Sequence, residues 1–146
     1  MSEFAEVARG IGRWPSAAAD IAALPAPYTV PGAMLLVAMD AASSDALDDA
    51  TALGCGAIVP LAEPGVAELQ RIYVRPAARR RGVAEAIIVA LMEHSRSHGR
   101  NCIRLVTAPQ LTAAQALYAS LGFSPIERYR RGLRSEALCF ERRAHS

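Results

Sequence analysis

The sequence predicts a three-layer α/β domain built on a mixed, mostly antiparallel sheet. Three observations lead there. Apolar, strand-like runs come first, at 33–39, 53–61 and 68–74, joined by connections that suit an antiparallel meander. The period then becomes helical, with Val83, Ala84, Ile87, Ile88 and Leu91 on one face. A further strand-like run at 101–107 follows that helix, as expected of a strand returning parallel to the one before it. The 146 residues suit one domain, 1–146, with a sizeable core.

Each element has a local cause. Residues 3–10 and 16–24 read as two short helices, with Ser16 as N-cap of the second and Pro25 and Pro27 ending it. Ala33 to Met39 is an apolar run fit for a buried strand. The Ala-, Ser- and Asp-rich stretch 40–50 reads as a polar connection. Its Asp45, Asp48 and Asp49 lack the glycine-centred spacing of a calcium loop, so a solvated turn is expected. In the strand at 53–61, Gly54 and Gly56 mark a bulge or a close approach, and Glu63-Pro64-Gly65 turns the chain.

The strand at 68–74 sets apolar Leu69, Ile72 and Val74 around Gln70 and Arg71. Pro76 ends it, because proline cannot donate to a ladder and holds Arg75 extended. The helix from about Arg81 to His98 stops at Gly99. Pro109 ends the next strand, Thr112 is the expected N-cap of a helix through Ser120, and Gly122 closes it. Runs at 124–130 and 136–142 form a last strand pair. Its exposed final strand could pair two copies, so a homodimer is an open expectation.

Charge is uneven. Up to Gly65 two arginines face eight acids, a balance of −6; from Val66 fourteen arginines face six acids, a balance of +8. There is no lysine. No stretch reaches the ~18 consecutive apolar residues of a membrane span, so no membrane partner is expected. The acidic start has no charged-then-apolar leader, which makes a cytoplasmic location the expectation. Cys55, Cys102 and Cys139 lack metal-ligand spacing and read as buried free thiols. His94 and His98 sit in the last helical turn, where positive charge suits the dipole, and no metal is expected there. A nucleic-acid partner is not expected, since few aromatics are available for base stacking.

The chemistry concentrates where the strand at 68–74 turns into the helix. A helix start leaves N–H groups without partners and carries partial positive charge, so it can hold an anion. Gly82 and Ala84 let an oxygen approach the backbone, and Arg79, Arg80 and Arg81 add charge and forked donors. Taken alone, this pattern also describes a surface arginine cluster before an ordinary helix.

Arg79-x-x-Gly82-x-Ala84, preceded by Val74-Arg75-Pro76, resembles the acetyl-CoA signature of the GCN5-related N-acetyltransferase (GNAT) family. Residues 116–123, Ala-Leu-Tyr-Ala-Ser-Leu-Gly-Phe, resemble that family's later segment, in the family's order and at a fitting separation. The resemblance covers roughly residues 33–140. It implies the three-layer GNAT fold and acetyl transfer from acetyl-CoA, as co-substrate, to an amine by direct attack. Ile72, Tyr73 and Val74 would meet the pantetheine arm as an added strand does. Arg79, Arg80, Arg81, Gly82, Val83 and Ala84 would hold the pyrophosphate. An N–H near Ile72 or Tyr73 would serve the oxyanion.

A lysine-like amine with pKa ~10.4 is almost wholly protonated at pH 7, so a base is needed. The resemblance implies Glu68 for that role and Tyr118 as the acid that protonates the departing thiolate. There are departures from the family pattern. Leu111 stands where many relatives carry an asparagine, Arg80 stands where many carry a glycine, and no first strand is read before Glu3. The acceptor, a small amine or a peptide or protein amine, is not legible. The alternative from a different class is a CoA-binding module of the same fold without turnover.

Overall fold

The computed structural model describes residues 30–39 and 52–144. Among the described residues six strands form one sheet: β1 (Met34–Met39), β2 (Ala52–Pro60), β3 (Val66–Val74), β4 (Cys102–Thr107), β5 (Ser124–Ile126) and β6 (Leu138–Arg143). Two helices, α1 (Val83–Ser97) and α2 (Thr112–Ser120), flank β4 in sequence. The strand order is β1-β2-β3-β4-β6-β5. Among the described strands only β3 and β4 pair in parallel; the other neighbours are antiparallel. The meander and the parallel return across α1 both stand as the pattern predicted.

The two expected N-terminal helices and the Asp-rich connection lie outside the described residues. Within them, the last strand, β6, runs between β4 and β5. The exposed final strand expected from sequence is therefore corrected: the edge on that side is three-residue β5. The expected last pair was also too long, because the segment between Ile126 and Leu138 turns through Gly132 at φ 81°. No described helix is long and apolar enough to cross a membrane.

Helical and pleated periodicities meet on one face of the sheet. Ile87, Ile88 and Leu91 of α1 pack with Ile58, Leu69, Ile103, Leu105 and Phe140 of the strands and with Tyr118 of α2. Burying each large aliphatic side chain contributes roughly 1.5–3 kcal/mol. Helix and sheet approach closely at Gly56. A Cβ there would lie 2.7 Å from both Ile72 Cδ1 and Ile87 Cγ2, which is why the position takes glycine. Gly54 is crowded too, since a Cβ would lie 2.6 Å from the Tyr73 carbonyl oxygen.

The β2–β3 ladder skips a register step between Cys55 and Ala57. Arg71 and Ile72 together face Gly56, and Arg71 takes φ 58°. This is a β-bulge, which bends its strand and increases its twist. Its trace is in the sequence: Ala67 and Leu69 face the helices two apart, but the next residue on that face is Ile72, three further on. At the opposite end, Arg100 Nη1 donates to the carbonyls of Leu61 (2.9 Å) and Val66 (2.6 Å). Cys102 N–H donates to the Gly65 carbonyl (3.0 Å). So β3 and β4 are tied where they start.

Candidate functional site

They are not tied where they end. Parallel pairing covers Val66↔Cys102, Ala67↔Ile103 and Glu68↔Arg104 and stops, while β3 runs on to Val74 and β4 to Thr107. The parting begins just before the bulge at Arg71, which turns the rest of β3 away. Ile72, Tyr73 and Val74 thus occupy the diverging half of the strand.

Past Val74 a short 3-10 turn, Pro76–Ala78, leads into the arginines. Arg79 Nε donates to the Val74 carbonyl at 3.0 Å, which folds the turn back on the strand, and its guanidinium lies 6.0 Å from the centre of the Tyr73 ring. Arg80 takes φ 65° and Gly82, the N-cap of α1, takes φ 76°. A Cβ on Gly82 would meet nothing within 4 Å. Its glycine is thus explained by the left-handed backbone, and the space in front of it is open.

That space is part of a cavity of about 300 Å³. Val74, Arg79, Arg80, Gly82, Val83 and Ala84 line it from the turn, and Ala113 and Leu117 line it from α2. Exposed Glu85 is also on its rim. Of the expected cofactor residues, Ile72, Tyr73 and Arg81 lie outside this lining. The end of a strand, a helix N-terminus and an arginine-rich turn converge on one hollow that suits an anion.

Tyr118 follows Leu117 on α2 and is 8% exposed, packed edge-on to Phe123 at 6.0 Å. Burial raises its hydroxyl pKa, so the phenol stays protonated. The expected cap of α2 is corrected. Thr112 is its first residue, and Leu111 occupies the N-cap with no side-chain bond. Gln115 Nε2 instead reaches back to the carbonyls of Ala108 (3.0 Å) and Pro109 (3.1 Å).

Glu68 lies on the other face of the sheet, because its neighbours Ala67 and Leu69 face the helices. It is 2% exposed. Its Oε2 accepts from Arg130 Nε at 2.9 Å and from the Tyr129 hydroxyl, and its Oε1 accepts from Gln70 Nε2 at 2.7 Å. Burial first, then the bond to Glu68, pushes the Tyr129 phenol strongly upward. The Arg104 guanidinium lies 5.1 Å from the centre of the Tyr129 ring, and its Nε donates to Glu141 at 2.8 Å. Tyr129 and Arg130 were missed in the sequence because no periodicity marks a loop residue that pairs 61 or 62 positions away.

All three cysteines are buried and free, as expected. Among the described residues no group of His, Cys, Asp and Glu side chains could hold a metal.

A family model for the acetyltransferase (GNAT) family matches residues 22–123. The chain belongs to this family. It is 34% identical over 102 residues to an uncharacterised N-acetyltransferase of Schizosaccharomyces pombe, covering 70% of this chain and 58% of that protein. It is 39% identical over 77 residues to an uncharacterised N-acetyltransferase of Escherichia coli, covering 51% and 46%. The chain spans about half the length of these curated relatives. Among solved structures, a GCN5-related N-acetyltransferase from Kribbella flavida is 25% identical, with TM-score 0.61 over 80% of this chain and 70% of that one. A GNAT-family acetyltransferase from Staphylococcus aureus is 15% identical, with TM-score 0.72 over 97% and 91%, and shows the fold alone. The fold is the three-layer GNAT fold, and the family supports acyl transfer from CoA in general.

Proposed function

We propose that this protein transfers an acetyl group from acetyl-CoA to an amine. The observation that carries the reading is the parting of β3 from β4 beside the cavity at Gly82. An extended arm can lie against the diverging half of β3 while a diphosphate sits at the start of α1. The residues fit that group: open space precedes Gly82, and α1 presents its first N–H groups beside Arg79, Arg80 and Arg81. Val83 and Ala84 complete the turn. Because Arg79 Nε is held by Val74, its terminal nitrogens are the ones left for phosphate.

Acetyl-CoA supplies the activated thioester. In this reading Ile72, Tyr73 and Val74 align the arm, and an N–H near Ile72 or Tyr73 stabilises charge on the carbonyl oxygen. The amine nitrogen bonds to the carbonyl carbon as the C–S bond breaks. Tyr118 gives its hydroxyl proton to the departing sulfur. The amine's proton goes to Glu68 by way of Tyr129: the phenol oxygen takes it while handing its own proton to Glu68 Oε2. That route respects the crowding of Glu68, whose two oxygens already accept three bonds.

The second reading, CoA binding without turnover, has one observation in its favour. Leu111, at the head of α2, is apolar and 54% exposed where many relatives carry asparagine. Calorimetry with acetyl-CoA and thiol release over a panel of amines separate the two. Binding with thiol release supports the enzyme, binding without release supports the module, and absence of binding overturns both.

A further inference from the structure

We propose that the cavity between the β4–α2 connection and the β5–β6 loop receives the acceptor, and that the acceptor is a small amine carrying a carboxylate. This deepens the transferase reading and rests on it. The cavity measures about 380 Å³, the size of a small-molecule site. Thr107, Gln110 and Leu111 line one side, and Arg130, Arg134 and Glu136 line the other.

Three features of this lining favour an anionic group. The first is charge within the lining itself: the Arg130 and Arg134 guanidinium groups stand against the Glu136 carboxylate, while Glu68, outside the lining, engages Arg130 at Nε. The second is the set of atoms on offer. Arg130 uses its Nε for Glu68, on a side chain 42% exposed, so the ion pair does not consume its terminal nitrogens. A guanidinium fork matches a carboxylate in shape and charge. The third is preorganisation. Arg128 Nη1 donates to the Arg134 carbonyl (2.9 Å) and Nη2 to the Leu133 carbonyl (3.0 Å), so the loop is braced before any ligand arrives. Leu111 and Leu133 add an apolar wall suited to a short aliphatic spacer.

The position also joins the two halves of the chemistry. Leu111 heads α2, whose Ala113 and Leu117 line the Gly82 cavity, so one helix borders both hollows. Arg130 follows Tyr129, and both hold Glu68 Oε2. A carboxylate gripped by Arg130 and Arg134 leaves the amine end of the same molecule near the proposed proton route.

The test compares glycine, β-alanine, γ-aminobutyrate and glutamate, each beside its carboxamide, by thiol release from acetyl-CoA. The expected result is that at least one acid exceeds its amide in kcat/KM by roughly 10- to 100-fold, the span of a charge-assisted hydrogen bond. Arg134→Gln, at an exposed position, should bring that ratio toward one, and Arg134→Lys should restore it in part. Acids and amides that serve equally overturn the proposal and leave the transferase reading intact. A second readout is independent of turnover: titrating protein carrying 15N-labelled arginine with β-alanine and β-alaninamide. Arg130 and Arg134 side-chain signals that move with the acid alone support the site even if no amine releases thiol. Signals that stay still with both overturn it.

Discussion

Replacing Gly82 by alanine separates the backbone's need for glycine from that of the proposed cofactor. At φ 76° an L side chain is strained, which costs about 1–2 kcal/mol. No steric term adds to this, because the new Cβ meets nothing within 4 Å. Gly99, at φ 79° and equally unobstructed just past α1, provides a matched control. Both variants should lose about 1–2 kcal/mol in chemical denaturation. They should differ in calorimetry with CoA. Gly99→Ala should bind as the parent does, while Gly82→Ala sets a methyl group where the proposed reading brings the phosphate. Losing one charge-assisted bond there weakens binding roughly 10- to 100-fold. Equal CoA affinities for the two variants, at equal losses of stability, would refute the phosphate reading of this turn.

Tyr118→Phe should lower kcat about 100-fold, the lower end for general acid catalysis, with little change in CoA affinity; an unchanged kcat removes the acid role. Because burial raises the Tyr118 pKa, the alkaline loss of that role should fall above the ordinary tyrosine value of 10.0, which a pH–rate profile reads directly. Glu68→Gln and Tyr129→Phe should each reduce kcat/KM for the amine more than tenfold, roughly, while sparing CoA binding; intact turnover in Tyr129→Phe excludes the relay. Burial pushes the Cys55 thiol from 9.0 up to about 12. Its contribution is full below pH 9.0 and is lost as pH rises toward 12, since the unfolded chain gives up that proton first. Denaturation midpoints should fall across that window, and Cys55→Ala should flatten the fall; an identical slope in the variant refutes the assignment. Gly56→Ala should cost about 1–3 kcal/mol by overpacking Ile72 against Ile87, measured by chemical denaturation.

Short-range order was legible in the residues themselves. Pro76, Gly82, Gly99, Pro109 and Gly122 punctuate the chain by restricting or freeing φ, and the shift from period two to period 3.6 after Val74 set strand apart from helix. The left-handed turn proposed to hold phosphate was readable as a turn for the same reason, because its parts lie within six consecutive positions. The bulge at Arg71 left a readable mark too, in the three-residue step from Leu69 to Ile72.

Contacts across the chain decided the rest. The partnering of Glu68 by Tyr129 and Arg130, the internal place of β6, and the cavity that sets Arg134 opposite Gln110 all join residues far apart in sequence. Periodicity reports which face a side chain takes within its own element. It carries no information about which distant loop will arrive beside that face, since that is fixed by the packing of the whole sheet.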